Sequence, residues 1–369
     1  MPSNLSGLAQ TRKLGPSGRG WVAEVVCDTA AMPDHLVPLE RILAARELVA
    51  RRVHRTPILT STTAGRFAQA AGVRLGDDRL YVKSEHLQKT GSFKPRGMTA
   101  KVAALTEAQR RAGIITLSAG NAGQAYAWAG REAGVPTVVV MPAGAVRSKV
   151  EACLGYGAEV VLHGEHVGET FARMEAIRDE RGLTFAHPFD DPDVIAGHGS
   201  IGLEILEDLP EVDVLVVGIG GGGLISGVAA ALKERRPGVR VFGVEPTESN
   251  AVSLGLERGE VVPIQPRSVA DGLGAPFAGE WTLAMCRRYL DGIVLLDDPT
   301  ILAGVRFAAE RMKQVLEPAG AAALAAVLAG RIAIRDGERV CVVASGGNVA
   351  LDQLGELLGS AGTLSGASS

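Results

Sequence analysis

From Leu80 to Val343 the chain repeats one pattern, a short and largely apolar β-branched run followed by an alanine-rich stretch of helical character. The runs are Leu80–Lys83, Ile114–Leu117, Thr137–Met141, Glu159–Leu162, Asp213–Val217, Val239–Val244, Ile293–Leu296 and Val340–Val343. Strands that are apolar throughout, instead of alternating with polar residues, are buried on both faces, and alternation with helices builds a parallel sheet covered on each side. The expected fold class is therefore α/β and doubly wound. Ahead of these runs, Leu39, Ile42, Leu43 and Val49 after Pro38 add one amphipathic helix. A chain of 369 residues with 46% hydrophobic content is long enough for two lobes. Composition marks no boundary between them.

The formal charge of -3, from 38 basic and 41 acidic residues, gives no imbalance that would draw the chain to nucleic acid or to an anionic membrane, so a small-molecule ligand is expected. Cys27, Cys153, Cys286 and Cys341 lie far apart with neither a CxxC pair nor metal-ligand spacing, which points to thiols in a reducing compartment. The seven histidines show no ligand spacing on one helix face, and no metal is assigned. No signal-peptide core follows Arg12 and Lys13, and no run reaches membrane-spanning length, so a soluble, cytoplasmic protein is expected. Residues 1–35 read as a weakly ordered N-terminal extension and 359–369 as a weakly ordered tail.

In doubly wound folds ligands sit beyond the carboxyl ends of the strands, and four loops there are unusual. In Ser84–Met98, Lys94 stands just before Pro95 at the start of a helix running toward Thr106. The positive helix end favours a neutral amine there, which an imine-forming lysine needs. The alternative is that Lys89, Lys94 and Arg96 form a solvated basic patch. In Leu117–Gln124, small residues with Ser118 and Asn121 suit a carboxylate or phenolic oxygen. The alternative is an N-cap, supplied by Ser118 or Asn121, for a helix beginning near Gln124.

In Val217–Gly227, the consecutive Gly220, Gly221, Gly222 and Gly223 expose successive N–H groups at a helix start, as a phosphate dianion requires, and a tight turn alone would not demand four glycines. Gly218, Gly220 and Gly223 also satisfy a Gly-x-Gly-x-x-Gly pattern, with Glu245 placed 22 residues after Gly223 as a ribose-binding acid would be. That dinucleotide reading, a nicotinamide oxidoreductase, leaves Lys94 and the Ser118 loop unexplained. The last loop, Ala344–Asn348, presents Ser345 at a strand end. All four loops are read as leaving one sheet around one crevice.

These residues resemble the fold-type II pyridoxal-phosphate family, whose fold is like that of tryptophan synthase β, and within it the threonine/serine dehydratases (threonine ammonia-lyases). Serine racemase and threonine synthase are less closely similar. The resemblance runs in order through His54-Arg-Thr-Pro57, Thr90-Gly-Ser-Phe-Lys-Pro-Arg-Gly97, Ser118-Ala-Gly-Asn121, His187-Pro-Phe-Asp-Asp191, Val194-Ile-Ala-Gly197, Gly220–Gly223, Glu317-Pro-Ala-Gly320 and Ser345-Gly-Gly-Asn348. It implies two doubly wound lobes with largely parallel sheets: a large cofactor-binding lobe of residues 36–112 and 191–358, and a small lobe of residues 113–190. It implies pyridoxal 5'-phosphate as cofactor, carried by Lys94 as the catalytic lysine. Phe93 would pack on the cofactor ring, Asn121 hold its 3′-oxygen, Gly220 to Gly223 with Leu224 bind its phosphate, and Ser345 face the pyridine nitrogen. Ser118, Ala119, Gly120, Asn121 and Ala122 would take the amino-acid substrate. A homodimer or homotetramer is expected.

A neutral hydroxyl at Ser345 stabilises a protonated pyridine less than a carboxylate would, so the ring is a weaker electron sink and expulsion of a β-hydroxyl is favoured. The expected reaction is β-elimination from L-threonine, L-serine or a related β-hydroxy amino acid, giving a 2-oxo acid and ammonia. Ala119 stands where racemases of this family carry a second serine, which argues against racemisation, and Ala122 stands where many dehydratases have histidine. The positions resembling the family's divalent-ion ligands are Glu245, Ser249 and Ala251, which lack one carboxylate. The 21 residues after Asn348 are too few for a C-terminal regulatory domain, so none is expected. The competing readings are a threonine synthase or other β-replacement enzyme, a racemase, and a non-catalytic binding protein.

Overall fold

The computed structural model describes residues 35–360. The expected N-terminal extension, apart from His35, lies outside the described residues, as do Cys27 and most of the expected tail. The chain opens with α1 (Leu39–Val49), β1 (Ile58–Ser61), α2 (Thr62–Ala70), β2 (Leu80–Lys83), α3 (Lys94–Ala103) and α4 (Glu107–Ala112). A compact unit follows, made of β3 (Ile114–Leu117), α5 (Asn121–Ala133), β4 (Thr137–Met141), α6 (Arg147–Gly155), β5 (Glu159–Leu162), α7 (Val167–Arg181) and β6 (Thr184–Phe185). The long α8 (Pro192–Asp208) then leads to β7 (Val214–Gly218), α9 (Gly223–Arg235), β8 (Arg240–Pro246), α10 (Ala251–Arg258) and α11 (Glu280–Tyr289). The last elements are β9 (Gly292–Leu296), α12 (Asp298–Phe307), α13 (Pro318–Leu328), β10 (Val340–Val343) and α14 (Leu351–Ser360).

The strands form two sheets, six-stranded in the order β1-β2-β10-β7-β8-β9 and four-stranded in the order β5-β4-β3-β6. Every pairing is parallel except β1 with β2. Helix-covered central strands explain the unbroken apolar runs: Val214, Leu215, Val216 and Val217 of β7 are fully buried. On one face α8 and α9 approach so closely that a Cβ at Gly227 would stand 2.1 Å from the Ile195 carbonyl oxygen. Among the described residues, no helix is long and apolar enough to cross a membrane.

The two largely parallel sheets are those the family resemblance implies, and they correct the reading that all four loops leave one sheet. The Lys94 segment, the glycine loop and the Ser345 loop follow β2, β7 and β10 of the six-stranded sheet, whereas the Ser118 loop follows β3 of the other. The crevice therefore lies between sheets. The crossover that brings β10 between β2 and β7, with Val342 registered to both Val82 and Val216, sets the Ser345 loop beside the other two.

Candidate active site

The site is built on a buried ionic foundation. Two residues after Lys94, Arg96 is fully buried, which rules it out of any solvated basic patch. Its guanidinium donates from Nε to Glu85 Oε2 at 2.8 Å and from Nη1 to Glu204 Oε1 at 2.7 Å. Glu204 also accepts from the buried Lys83 Nζ at 2.6 Å, and Lys83 donates again to the Thr56 carbonyl at 2.7 Å. Two cations balance two carboxylates, with nearly every donor occupied, which is the condition under which buried charge is tolerable. The network ties α3 to β2 and α8, and so fixes the helix that Lys94 begins.

Lys94 Nζ donates to the Pro188 carbonyl at 2.9 Å and lies 5.1 Å from the centre of the Phe93 ring. Burial lowers the amine to about 8, and Lys94 is the first residue of α3, at the helix end. Behind Phe93 the buried His198 ring meets it edge-on at 4.8 Å. Desolvation, with Lys94 and Arg96 nearby, holds His198 well below the usual histidine range, so it adds no third positive charge.

Pro188 connects the lysine to the glycine loop. In the same turn His187 Nδ1 accepts from the Phe189 and Asp190 amides at 3.2 and 2.8 Å, a role only the unprotonated nitrogen can fill, and burial lowers the imidazole to about 4. Phe189 lies against the loop so tightly that a Cβ at Gly221 would stand 2.4 Å from its ring, and one at Gly223 2.6 Å from its carbonyl oxygen. Gly222 has φ of 88°. Packing and backbone conformation thus account for three of the four glycines: the turn itself requires only Gly222, and contact with Phe189 explains Gly221 and Gly223. Their amides remain informative. Among the described residues, none of the N–H groups from Gly220 to Leu224 has an acceptor, and they open α9 as a ready anion cradle.

The Ser345 loop is stitched to the lysine segment. Phe93 N donates to the Ser345 carbonyl at 3.0 Å, Ser92 and Gly346 form a bridge, and Gly347 N donates to the Gly91 carbonyl at 2.9 Å. The Ser345 hydroxyl is buried, with a long 3.4 Å contact to the Ala319 carbonyl. From the other sheet, α5 begins at Asn121 with Gly120 at its N-cap and no side-chain cap, so neither Ser118 nor Asn121 caps the helix. Asn121 instead donates from Nδ2 to Glu317 Oε1 at 2.7 Å and accepts at Oδ1 from Asn348 Nδ2 at 2.8 Å. Ser118 Oγ accepts from the Gly120 amide at 3.2 Å. A Cβ added to Gly120 would meet nothing within 4 Å, so open space adjoins this loop.

Glu245, the acid of the dinucleotide reading, is buried and committed elsewhere: its carboxylate accepts from the amides of Val252 and Ser253 at 2.8 and 2.9 Å and from the Ser253 hydroxyl.

The sequence pattern of the pyridoxal-phosphate dependent enzymes matches residues 49–346, most of the chain. The chain belongs to this family. It is 38% identical to an L-threonine ammonia-lyase of Thermotoga maritima over 88% of this chain and 78% of that protein. It is 37% identical to a catabolic L-threonine dehydratase of Escherichia coli K12, over 88% of this chain and 96% of the relative. The fold matches maize serine racemase with a TM-score of 0.80 at 32% identity, covering 87% of this chain and 96% of that one. The architecture is that of a fold-type II pyridoxal-phosphate enzyme, and the residues fit the cofactor's demands: a lysine amine of lowered pKa, a row of amides without acceptors among the described residues, and polar side chains at Asn121 and Ser345 on the adjoining loops. The foundation of Lys83, Glu85, Arg96 and Glu204 was not anticipated. Its only sequence signal is charge inside apolar or short-loop surroundings.

Proposed function

We propose that this chain eliminates the β-hydroxyl of a small amino acid, L-threonine, L-serine or a related β-hydroxy amino acid, giving a 2-oxo acid and ammonia. The observation that carries the reading is the pairing of Lys94 with Ser345, a lysine amine brought to about 8 beside a strand end that offers a hydroxyl and no carboxylate. Bound pyridoxal phosphate supplies the electron sink that makes the substrate's α-proton removable. In this reading Lys94 carries it, the amides from Gly220 to Leu224 hold its phosphate, Asn121 its ring oxygen and Ser345 its ring nitrogen, with Phe93 packed alongside.

The Ser118, Ala119, Gly120, Asn121 and Ala122 loop orients the substrate carboxylate through amides and the Ser118 hydroxyl, next to the open space at Gly120. Lys94 takes the α-proton, a task suited to an amine that titrates near working pH. Ala119 holds no exchangeable proton, so the opposite face of the α-carbon has no side-chain donor at that position, which favours elimination over racemisation. The test is 2-oxo acid release from L-threonine, L-serine and bulkier β-hydroxy amino acids by the cofactor-loaded protein. Release is expected, and Lys94→Ala is expected to abolish both it and the cofactor's imine absorbance. Intact absorbance and turnover in Lys94→Ala would refute the assignment.

A further inference from the structure

Glu317 is a buried carboxyl whose position has no structural explanation in its own helix. It occupies the N-cap of α13, a place favoured by shorter side chains such as Asp or Ser, and it makes no cap bond there. Its Oε1 accepts instead from Asn121 Nδ2 at 2.7 Å across the crevice, and approaches Gly346 so closely that a Cβ there would stand 2.1 Å away. Among the described residues no cation pairs with it directly: the charges that act on it are those of Lys149 and Asp271, which bond each other at 2.5 Å. Burial raises the carboxyl to about 7. A group held at such cost for one hydrogen bond acts through that bond.

Asn121 is the other end of it. A carboxamide can sit in two orientations related by a flip, and hydrogen-bond partners decide between them. Here Asn348 Nδ2 donates to Oδ1 while its own place is fixed by donation to the Thr90 carbonyl at 2.7 Å, and Glu317 receives one Nδ2 hydrogen. One Nδ2 hydrogen is left over.

We propose that Glu317 is a positioning residue that locks the Asn121 carboxamide in the orientation presenting its remaining N–H to the cofactor. The proposal rests on the cofactor reading above and assigns Glu317 no contact with substrate. Three consequences separate it from a merely structural role. Removing the acceptor matters through Asn121, an amide that still accepts suffices, and a carboxylate drawn back by one methylene does not.

The experiment titrates apo-protein with pyridoxal phosphate, following cofactor absorbance and, independently, the rise in unfolding temperature on binding. Glu317→Leu is expected to weaken binding about tenfold or more, as loss of a hydrogen bond to a charged group does. Glu317→Asp is expected to behave likewise, and Glu317→Gln to stay within about threefold of wild type. In an Asn121→Ala background Glu317→Leu should add almost nothing. Full additivity with Asn121→Ala, a loss in Glu317→Gln as large as in Glu317→Leu, or wild-type binding in Glu317→Leu would each overturn the proposal. If Glu317→Leu does not fold, wild-type binding by Glu317→Asp overturns it equally. Failure of the wild-type protein to take up the cofactor would instead sink the reading beneath it, and the proposal with it.

Discussion

Replacing Lys94 by Met should make the apo-protein more stable while destroying its capacity to hold the cofactor covalently. The amine falls from 10.5 to about 8 in the folded chain because it is buried. At about 1.36 kcal/mol per unit, that difference places roughly 3 kcal/mol against folding at pH 7, an upper bound because part of the side chain reaches the crevice. Met fills nearly the same volume, so repacking costs little, and the lost bond to Pro188 returns about 1 kcal/mol. The net expectation is a gain of about 1–2 kcal/mol in urea unfolding at pH 7.

The pH dependence fixes the sign. Between pH 8 and 10.5 the unfolded lysine is protonated and the folded one is not, so raising the pH through that window relieves the wild type and leaves Lys94→Met unchanged. The variant's advantage should be full below pH 8 and gone near 10.5. A variant no more stable than wild type at pH 7, or an advantage that does not shrink by pH 10, would refute the desolvation argument.

Two other substitutions probe what surrounds the lysine. Arg96→Met leaves Glu85 without its cation and Glu204 with Lys83 alone, so urea unfolding of the apo-protein should show a loss of about 3–5 kcal/mol; less than about 1 kcal/mol would mean the network is dispensable. Gly223→Ala drives a methyl against the Phe189 backbone, so the glycine loop must shift, and affinity for pyridoxal phosphate should fall about tenfold or more in a titration of apo-protein; unchanged affinity would remove the loop from the phosphate site.

The strands were legible wherever a continuous β-branched run carried them. Leu80–Lys83, Ile114–Leu117, Thr137–Met141, Glu159–Leu162 and Val340–Val343 occur as read, and the other three runs differ by one or two residues at one or both ends. Ile58–Ser61 escaped because only its pairing with β2 makes it a strand, and Thr184–Phe185 because two residues hold no period. The apolar runs by themselves did not say which sheet a strand joins, since β3 and β7 are the same kind of run and only the crossovers separate them; the lobe bounds came from the family resemblance alone. In the site, the loops at Lys94, Ser118, Gly220 and Ser345 were marked by glycine and small polar residues at strand ends. Arg96 could not be read as buried, because its partner Glu204 lies 108 residues away on α8. Nor could Phe189 be recognised as the reason for Gly221 and Gly223, a contact made only in three dimensions.

The split of the crevice between two sheets separates retention from exchange. Lys94, the glycine loop and Ser345 hang from neighbouring strands of one sheet, and backbone bonds at Ser92, Phe93 and Gly91 weld two of these loops together. The Ser118–Ala122 loop hangs from the other sheet and is fastened to that block by the side-chain bonds of Asn121. Among the described residues no strand ladder joins the two sheets, but Ala125, Tyr126 and Ala129 of α5 share one buried apolar core with Met98 and Val102 of α3, so any movement of the smaller sheet must preserve that packing. In the proposed reading, substrate and product pass on the side of the smaller sheet, while Lys94, the glycine loop and Ser345 keep their hold on the cofactor from the larger one and Asn121 reaches it from across the crevice.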